Sequence, residues 1–240
     1  MIERAELSFD SKHTGAPMAR LHLPARALEP AEVEGAVADA RAAGVQHLVT
    51  TLDAARTADA AALADAGLRL VDVAIDFSRP RADAAGYEDG IRLGTAEDAD
   101  AIVDGCATVF RRSRFYTDPY FRDEEADALH RAWVRNLFGG RAAAVLVADG
   151  GDGPVGFCGM LLDEEASVGR IDLIAVAPHA AGQGWGGRLL RSALAWFDGR
   201  CATSFVKTQG HNTRACGLYT RHGYAIHATD LTYALTLEPR

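Results

Sequence analysis

The 240-residue chain carries 25 Lys and Arg against 33 Asp and Glu, a net charge of −8 at neutral pH. That charge is spread evenly with no basic stripe, which argues against a nucleic-acid partner, and no apolar run reaches the roughly 20 residues of a membrane span. Cys106, Cys158, Cys201 and Cys216 show neither CxxC nor Cys/His ligand spacing, so they read as reduced thiols of a cytoplasmic protein, with no metal implied. The opening MIERAELSFD lacks the apolar core of a secretory signal.

In chain order, EPAEVEGAVADARAA (29–43) predicts a helix with Pro30 in its first turn and Gly44 at its end. VQHLVTTL (45–52) predicts a strand, 56–66 a helix stopped by Gly67, and LRLVDVAIDF (68–77) an alternating strand. Residues 78–90 are polar and carry Pro80, Gly86 and Gly90. They read as a connection, so we expect a smaller unit at 1–80, a linker at 81–90 and a larger unit at 91–240. The larger unit opens with a short strand (91–94), then a helix from Thr95 to about Arg111 and a second helix at 124–137. Strands at 141–149 and 155–163 flank the hairpin signal GGDGP. A strand at 170–178, a helix at 185–197, a strand at 201–209, a helix at 213–222 and a strand at 224–237 complete the chain. This order predicts an α/β fold. One echo stands out: shifted by 156 residues, HLVTTL…ALADAGLRLVDVAIDF overlies TSFVKT…LYTRHGYAIHATDLTY, with Gly67 on Gly223 and Leu63 on Tyr219.

The stretch AGQGWGGRLL (181–190) sets four glycines at a helix threshold, directly after a strand ending Val176-Ala177-Pro178. Such a loop makes an anion site, because inward N–H groups and the helix dipole favour phosphate and missing Cβ atoms let its oxygens approach. GxxxxGK[ST] is absent. On spacing alone, a merely flexible loop stays open.

The stretch V-A-P-H-A-A-G-Q-G-W-G-G resembles the pyrophosphate loop of the GNAT superfamily of acyl-CoA-dependent N-acetyltransferases, whose signature is [QR]-x-x-G-x-[GA] after V-x-P. Ala181 stands where Gln or Arg is expected. A second GNAT segment, N-x-x-A-x-x-L-Y-x-x-x-G-[FY], is matched by Asn212, Ala215, Leu218, Tyr219, Gly223 and Tyr224. The resemblance covers about 90–237. It implies a mixed central sheet with splayed strands flanked by helices, acetyl-CoA as co-substrate and a small-molecule amine as acceptor.

The resemblance also implies site residues. Ile174, Ala175 and Val176 would meet the acyl and pantetheine groups through their backbone, and Gly182, Gln183, Gly184, Trp185, Gly186 and Gly187 would cradle the pyrophosphate. Asn212 would reach the pantetheine, although a helix cap alone also explains it. Tyr219 would protonate the leaving thiolate. Asp172 is the candidate general base, with His211 and Asp118 as alternatives; pairing of Asp172 with Arg170 explains that carboxylate equally well.

Two further stretches resemble one GNAT branch, the bacterial TDP-fucosamine-type acetyltransferases, which also carry a partial GNAT-like N-terminal domain. They are LSFDSKHTGAPMARLHL (7–23) and SRFYTDPYF (113–121), the latter followed by a helix with Trp133 and Asn136. Phe9 departs from the usual Trp. The branch implies a nucleotide-linked amino sugar as acceptor, met by Arg114, Phe115, Tyr116 and Tyr120, since arginine suits a diphosphate and aromatics a base or sugar face. A homodimer stays open.

Overall fold

The computed structural model describes residues 1–81 and 86–238; of the expected 81–90 linker, residues 82–85 lie outside the described residues. The first half runs β1 (Glu3–Glu6), α1 (Ser8–Thr14), β2 (Met18–His22), α2 (Pro30–Ala42), β3 (His47–Asp53), α3 (Thr57–Asp65) and β4 (Arg69–Pro80). The second half opens with β5 (Ile91–Leu93), α4 (Ala99–Cys106), α5 (Arg114–Thr117), α6 (Asp123–Asn136), β6 (Ala144–Asp149) and β7 (Pro154–Asp163). It closes with β8 (Val168–Val176), α7 (Trp185–Phe197), β9 (Thr203–Gln209), α8 (Thr213–Arg221) and β10 (Ala225–Thr236).

Among the described residues these strands form one mixed sheet in the order β1-β2-β3-β10-β4-β9-β8-β7-β6-β5. The β2/β3 and β8/β9 pairs are parallel. Helices cover both faces. Cys158 and Ile174 pack with α7 and α8, whereas their strand neighbours Phe157 and Ala175 pack with α4 and α6, as a side-chain period of two requires.

The helix expected from Thr95 to Arg111 is shorter. Thr95 and Asp98 form a capping box on a 3-10 turn, α4 ends at Cys106, and a second 3-10 turn covers Ala107–Val109. Gly105 and the β-branched pair Thr108-Val109 weaken its last turns. β1, α1 and β2 precede the first element expected from the sequence.

The 156-residue echo has a geometric counterpart. Both bounds of β3, α3 and β4 move onto those of β9, α8 and β10 under that shift. Gly67 and Gly223 follow the two helices in the left-handed region, at φ 90° and 82°, where a Cβ would be strained. The halves exchange their last strands: β10 pairs with β3, β4 pairs with β9, and Ala74 faces Asp230, its own counterpart under the shift.

The first half has closed the place where the second carries its glycine loop. Residues 24–28 correspond to 180–184. Arg56, at the position of Asn212, donates to the carbonyls of Pro24 and Arg26 at 2.9 and 2.8 Å and to Asp59 at 2.7 Å. Asp59 in turn accepts from the Leu28 amide at 2.9 Å, and Leu28 and Leu63 are buried.

Packing of β8 against α7 is tight at Gly169. A Cβ on Gly169 of β8 would lie 2.4 Å from the Phe197 ring and 2.9 Å from the Cys201 sulfur. Gly169→Ala therefore lowers stability by about 1–3 kcal/mol, read as a lower urea midpoint with an unchanged slope.

Candidate active site

The site begins as a failure of strand pairing. The β8/β9 ladder runs from Val168↔Thr203 to Ile171↔Val206 and stops, while β9 stays paired to β4 as far as Gln209. The cause lies on the other edge of β8. Against β7, Gly159 faces Leu173 and Met160 faces Ile171, so Asp172 is a bulge that bends β8 away from β9. The gap opens into a cleft of about 570 Å³. The Ala177 amide donates to Val155 of β7 at 2.8 Å. Alternation along the strand then turns the N–H groups of Ile174 and Val176 to the other edge, into the cleft, and that of Ala175 toward β7.

The glycine loop closes one end. Pro178–Ala180 is a 3-10 turn, and Gly182 and Gly184 take φ of 84° and 87°, a region in which a side chain is strained. Gly184 is the N-cap of α7 and provides no capping side chain, and the first turn has no acidic residue, so free N–H groups and the dipole face the cleft uncompensated. Gly186 is different. Its backbone is helical, and an added Cβ would meet only Leu218, at 3.7 Å. Among the described residues no close contact accounts for that glycine. Gly182, Gly184, Trp185, Gly186 and Gly187 line the cleft; Gln183 does not, its amide turning back to the His179 carbonyl at 3.2 Å.

The opposite wall is α8. Its N-cap Asn212 accepts from the Ala215 amide, donates to Thr208 at 3.1 Å and accepts from Arg112 at 3.1 Å. Tyr219 lies about two turns on, buried between Phe77 and Tyr224, and lines the cleft. Among the described residues its hydroxyl has no hydrogen-bond partner. Burial, with Cys158 and Tyr224 nearby, pushes its pKa above that of an ordinary phenol, so it is a protonated donor.

The three carboxylate or imidazole candidates for a base separate clearly. Asp172 lines the cleft but is held by Arg141, at 3.2 and 3.3 Å, rather than by Arg170, which pairs with Asp76. Asp118 is buried against His47 at 3.1 Å, away from the cleft, and its carboxyl is held low by that imidazole in spite of burial. His211 is exposed and does not line the cleft.

Across from β8 the cleft is walled by Val109, Phe110, Ser113, His130 and Trp133. Of these only Trp133 was singled out from sequence; a lone histidine within a helix belongs to no motif. The structure places Arg114, Phe115, Tyr116 and Tyr120 behind this wall. Phe115 and Tyr120 are core, packed with Ala16 and Met18 of the first half. Arg114 stacks on Phe115 at 4.0 Å and pairs with Asp10 at 3.5 Å, and burial pulls its pKa down to about 10. Tyr116 donates to Asp127 at 2.6 Å. The apolar docking of α1 and β2 draws these side chains inward.

Comparison with known proteins agrees with this geometry. Residues 108–224 match the acetyltransferase (GNAT) family model. The spore coat polysaccharide biosynthesis protein SpsD of Bacillus subtilis is 32% identical over 145 residues, 59% of this chain and 49% of that protein. A mycothiol acetyltransferase of Kineococcus radiotolerans is 34% identical over 92 residues, 38% of this chain and 30% of that one. The chain thus spans half or less of these relatives' lengths. Among solved structures, a GCN5-related N-acetyltransferase from Sphaerobacter thermophilus superposes with a TM-score of 0.68 at 14% identity, covering 98% of this chain and 76% of that one. A tandem GNAT protein from the clavulanic acid biosynthesis pathway gives 0.61 at 16% identity, covering 94% and 77%. The splayed strands, the glycine loop and the family match converge: residues 108–224 form a GNAT acetyltransferase domain.

Proposed function

We propose that the protein transfers an acetyl group from acetyl-CoA to the primary amine of a nucleotide-linked amino sugar. The observation that carries the transferase reading is the convergence, in one cleft, of free β8 amides, an uncapped glycine helix start and a buried phenol. Bound acetyl-CoA supplies a thioester. The N–H groups of Ile174 and Val176 hold the acyl oxygen and the pantetheine, and the amides of 182–187 take the pyrophosphate. Tyr219 gives its proton to the departing sulfur. Asp172, tied to Arg141, shapes the floor.

The sugar reading is supported by the SpsD likeness and by the aromatic wall of Phe110 and Trp133, which suits a sugar face. Another small amine is the second reading, favoured by the likeness to a mycothiol acetyltransferase. We further infer that residues 1–80 are a partial copy of the acyltransferase unit, on the strength of the matched elements and the closed 24–28 segment. Thiol release from acetyl-CoA across a panel of amines decides among acceptors. Turnover is expected on nucleotide-linked 4-amino-4,6-dideoxyhexoses; turnover confined to amino acids, polyamines or antibiotics would overturn the sugar reading.

A further inference from the structure

With Asp172 engaged by Arg141 and Asp118 and His211 outside the cleft, the amine's proton needs another destination. The wall formed by α6 and the segment before α5 is apolar except at two side chains. Ser113 presents a buried hydroxyl that has no hydrogen-bond partner among the described residues. His130, on α6, commits Nδ1 to the Ala126 carbonyl at 2.6 Å, which leaves Nε2 as the nitrogen available to the cleft. A carbonyl can only accept, so Nδ1 carries the hydrogen and Nε2 carries a lone pair. Phe110 and Tyr116 stack on the ring at 5.5 and 5.3 Å and Trp133 meets it edge-on, so the imidazole is fixed in orientation.

We propose that His130 is the general base of this site, taking the amine's proton on Nε2, with Ser113 Oγ accepting a second N–H to aim the nucleophile. This rests on the acyltransferase reading above. In the step, the amine nitrogen bonds to the acyl carbon and the carbon–sulfur bond breaks with its electron pair on sulfur. The sulfur takes the Tyr219 proton and Nε2 takes the proton lost by nitrogen. Exchange with solvent then returns a proton from His130 to the phenolate side, so atoms and charge balance.

Electrostatics fit the role. Burial lowers the His130 pKa below the ordinary imidazole value; the Ala126 carbonyl and Asp127 oppose this, and Arg111 adds to it. Asp127 also accepts from Tyr116, which stacks on the ring. The imidazole is therefore neutral at pH 7, and activity falls only once the pH drops below the ordinary imidazole range and the base protonates.

Two measurements test this. Ring ¹⁵N NMR of the intact protein at pH 7.5 is expected to show His130 neutral with the hydrogen on Nδ1; an Nε2-protonated ring or an imidazolium would overturn the assignment, whatever the acceptor proves to be. His130→Asn keeps an amide donor for the Ala126 carbonyl and removes the base. It is expected to lower kcat about 10²-fold, abolish the acidic limb of the pH profile and leave acetyl-CoA affinity unchanged. A variant that folds and keeps that limb would contradict the proposal. Should the Asn variant not fold, His130→Gln is read the same way. Absence of turnover by the wild type on every amine would sink the acceptor reading and leave the tautomer result to decide for or against His130.

Discussion

Tyr219→Phe lowers turnover about 10³-fold and leaves acetyl-CoA binding unchanged. The expectation follows from how the ring is held. Its faces pack on Phe77 and Tyr224, at 5.7 and 6.1 Å between centroids, and phenylalanine keeps both contacts. The hydroxyl bonds to no described residue, so its removal leaves no orphaned partner and stability holds or rises slightly. What is lost is the proton for sulfur, and a positioned acid contributes about 10²–10⁴-fold. A pKa raised by burial does not disqualify this donor. The same dry surroundings raise the basicity of a thiolate formed beside it. Unaltered turnover in a folded Phe variant, by thiol release, would remove Tyr219 as the acid.

The second large effect is a reversal of sign between stability and binding. Gly186→Asp places a carboxylate in the first turn of α7, which has no acid of its own. The added Cβ meets only Leu218, at 3.7 Å, so the backbone tolerates it. A negative charge there complements the helix dipole by about 0.3–1 kcal/mol, and the melting temperature without ligand is expected to stay level or rise. The same carboxylate occupies the amides meant for pyrophosphate and repels it. Several charge-assisted bonds of about 1.5–3 kcal/mol each are at stake, so acetyl-CoA affinity is expected to fall about 10²- to 10³-fold. Calorimetric titration beside a melt reads both. Retained affinity would mean that the phosphate site lies elsewhere.

Much of this was legible in the residues because the relevant signals are local. Gly67 and Gly223 mark helix ends through their positive φ, Asn212 caps α8, and Pro178 ends the extended run before the loop. The spacing from Asn212 to Tyr219 carries two functions on one helix face. The exchange of β4 and β10 was not legible, since pairing between strands about 150 residues apart leaves no periodic trace. Nor was the inward turn of Phe115 and Tyr120, which depends on the packing of α1 and β2 against α6. Arg141, which holds Asp172, lies 31 residues away in sequence, and no spacing argument pairs them. His130 is visible only once α6 is laid along the cleft.

The matched elements of the two halves make one measurement decisive. Hydrogen exchange with and without acetyl-CoA compares the open loop with its closed counterpart in the same molecule. Slowed exchange is expected at the amides of Ile174, Val176 and residues 182–188, with residues 24–28 unchanged. No protection at the loop, or protection at 24–28 instead, would contradict the claim that the β8/β9 cleft is where this chain binds acetyl-CoA.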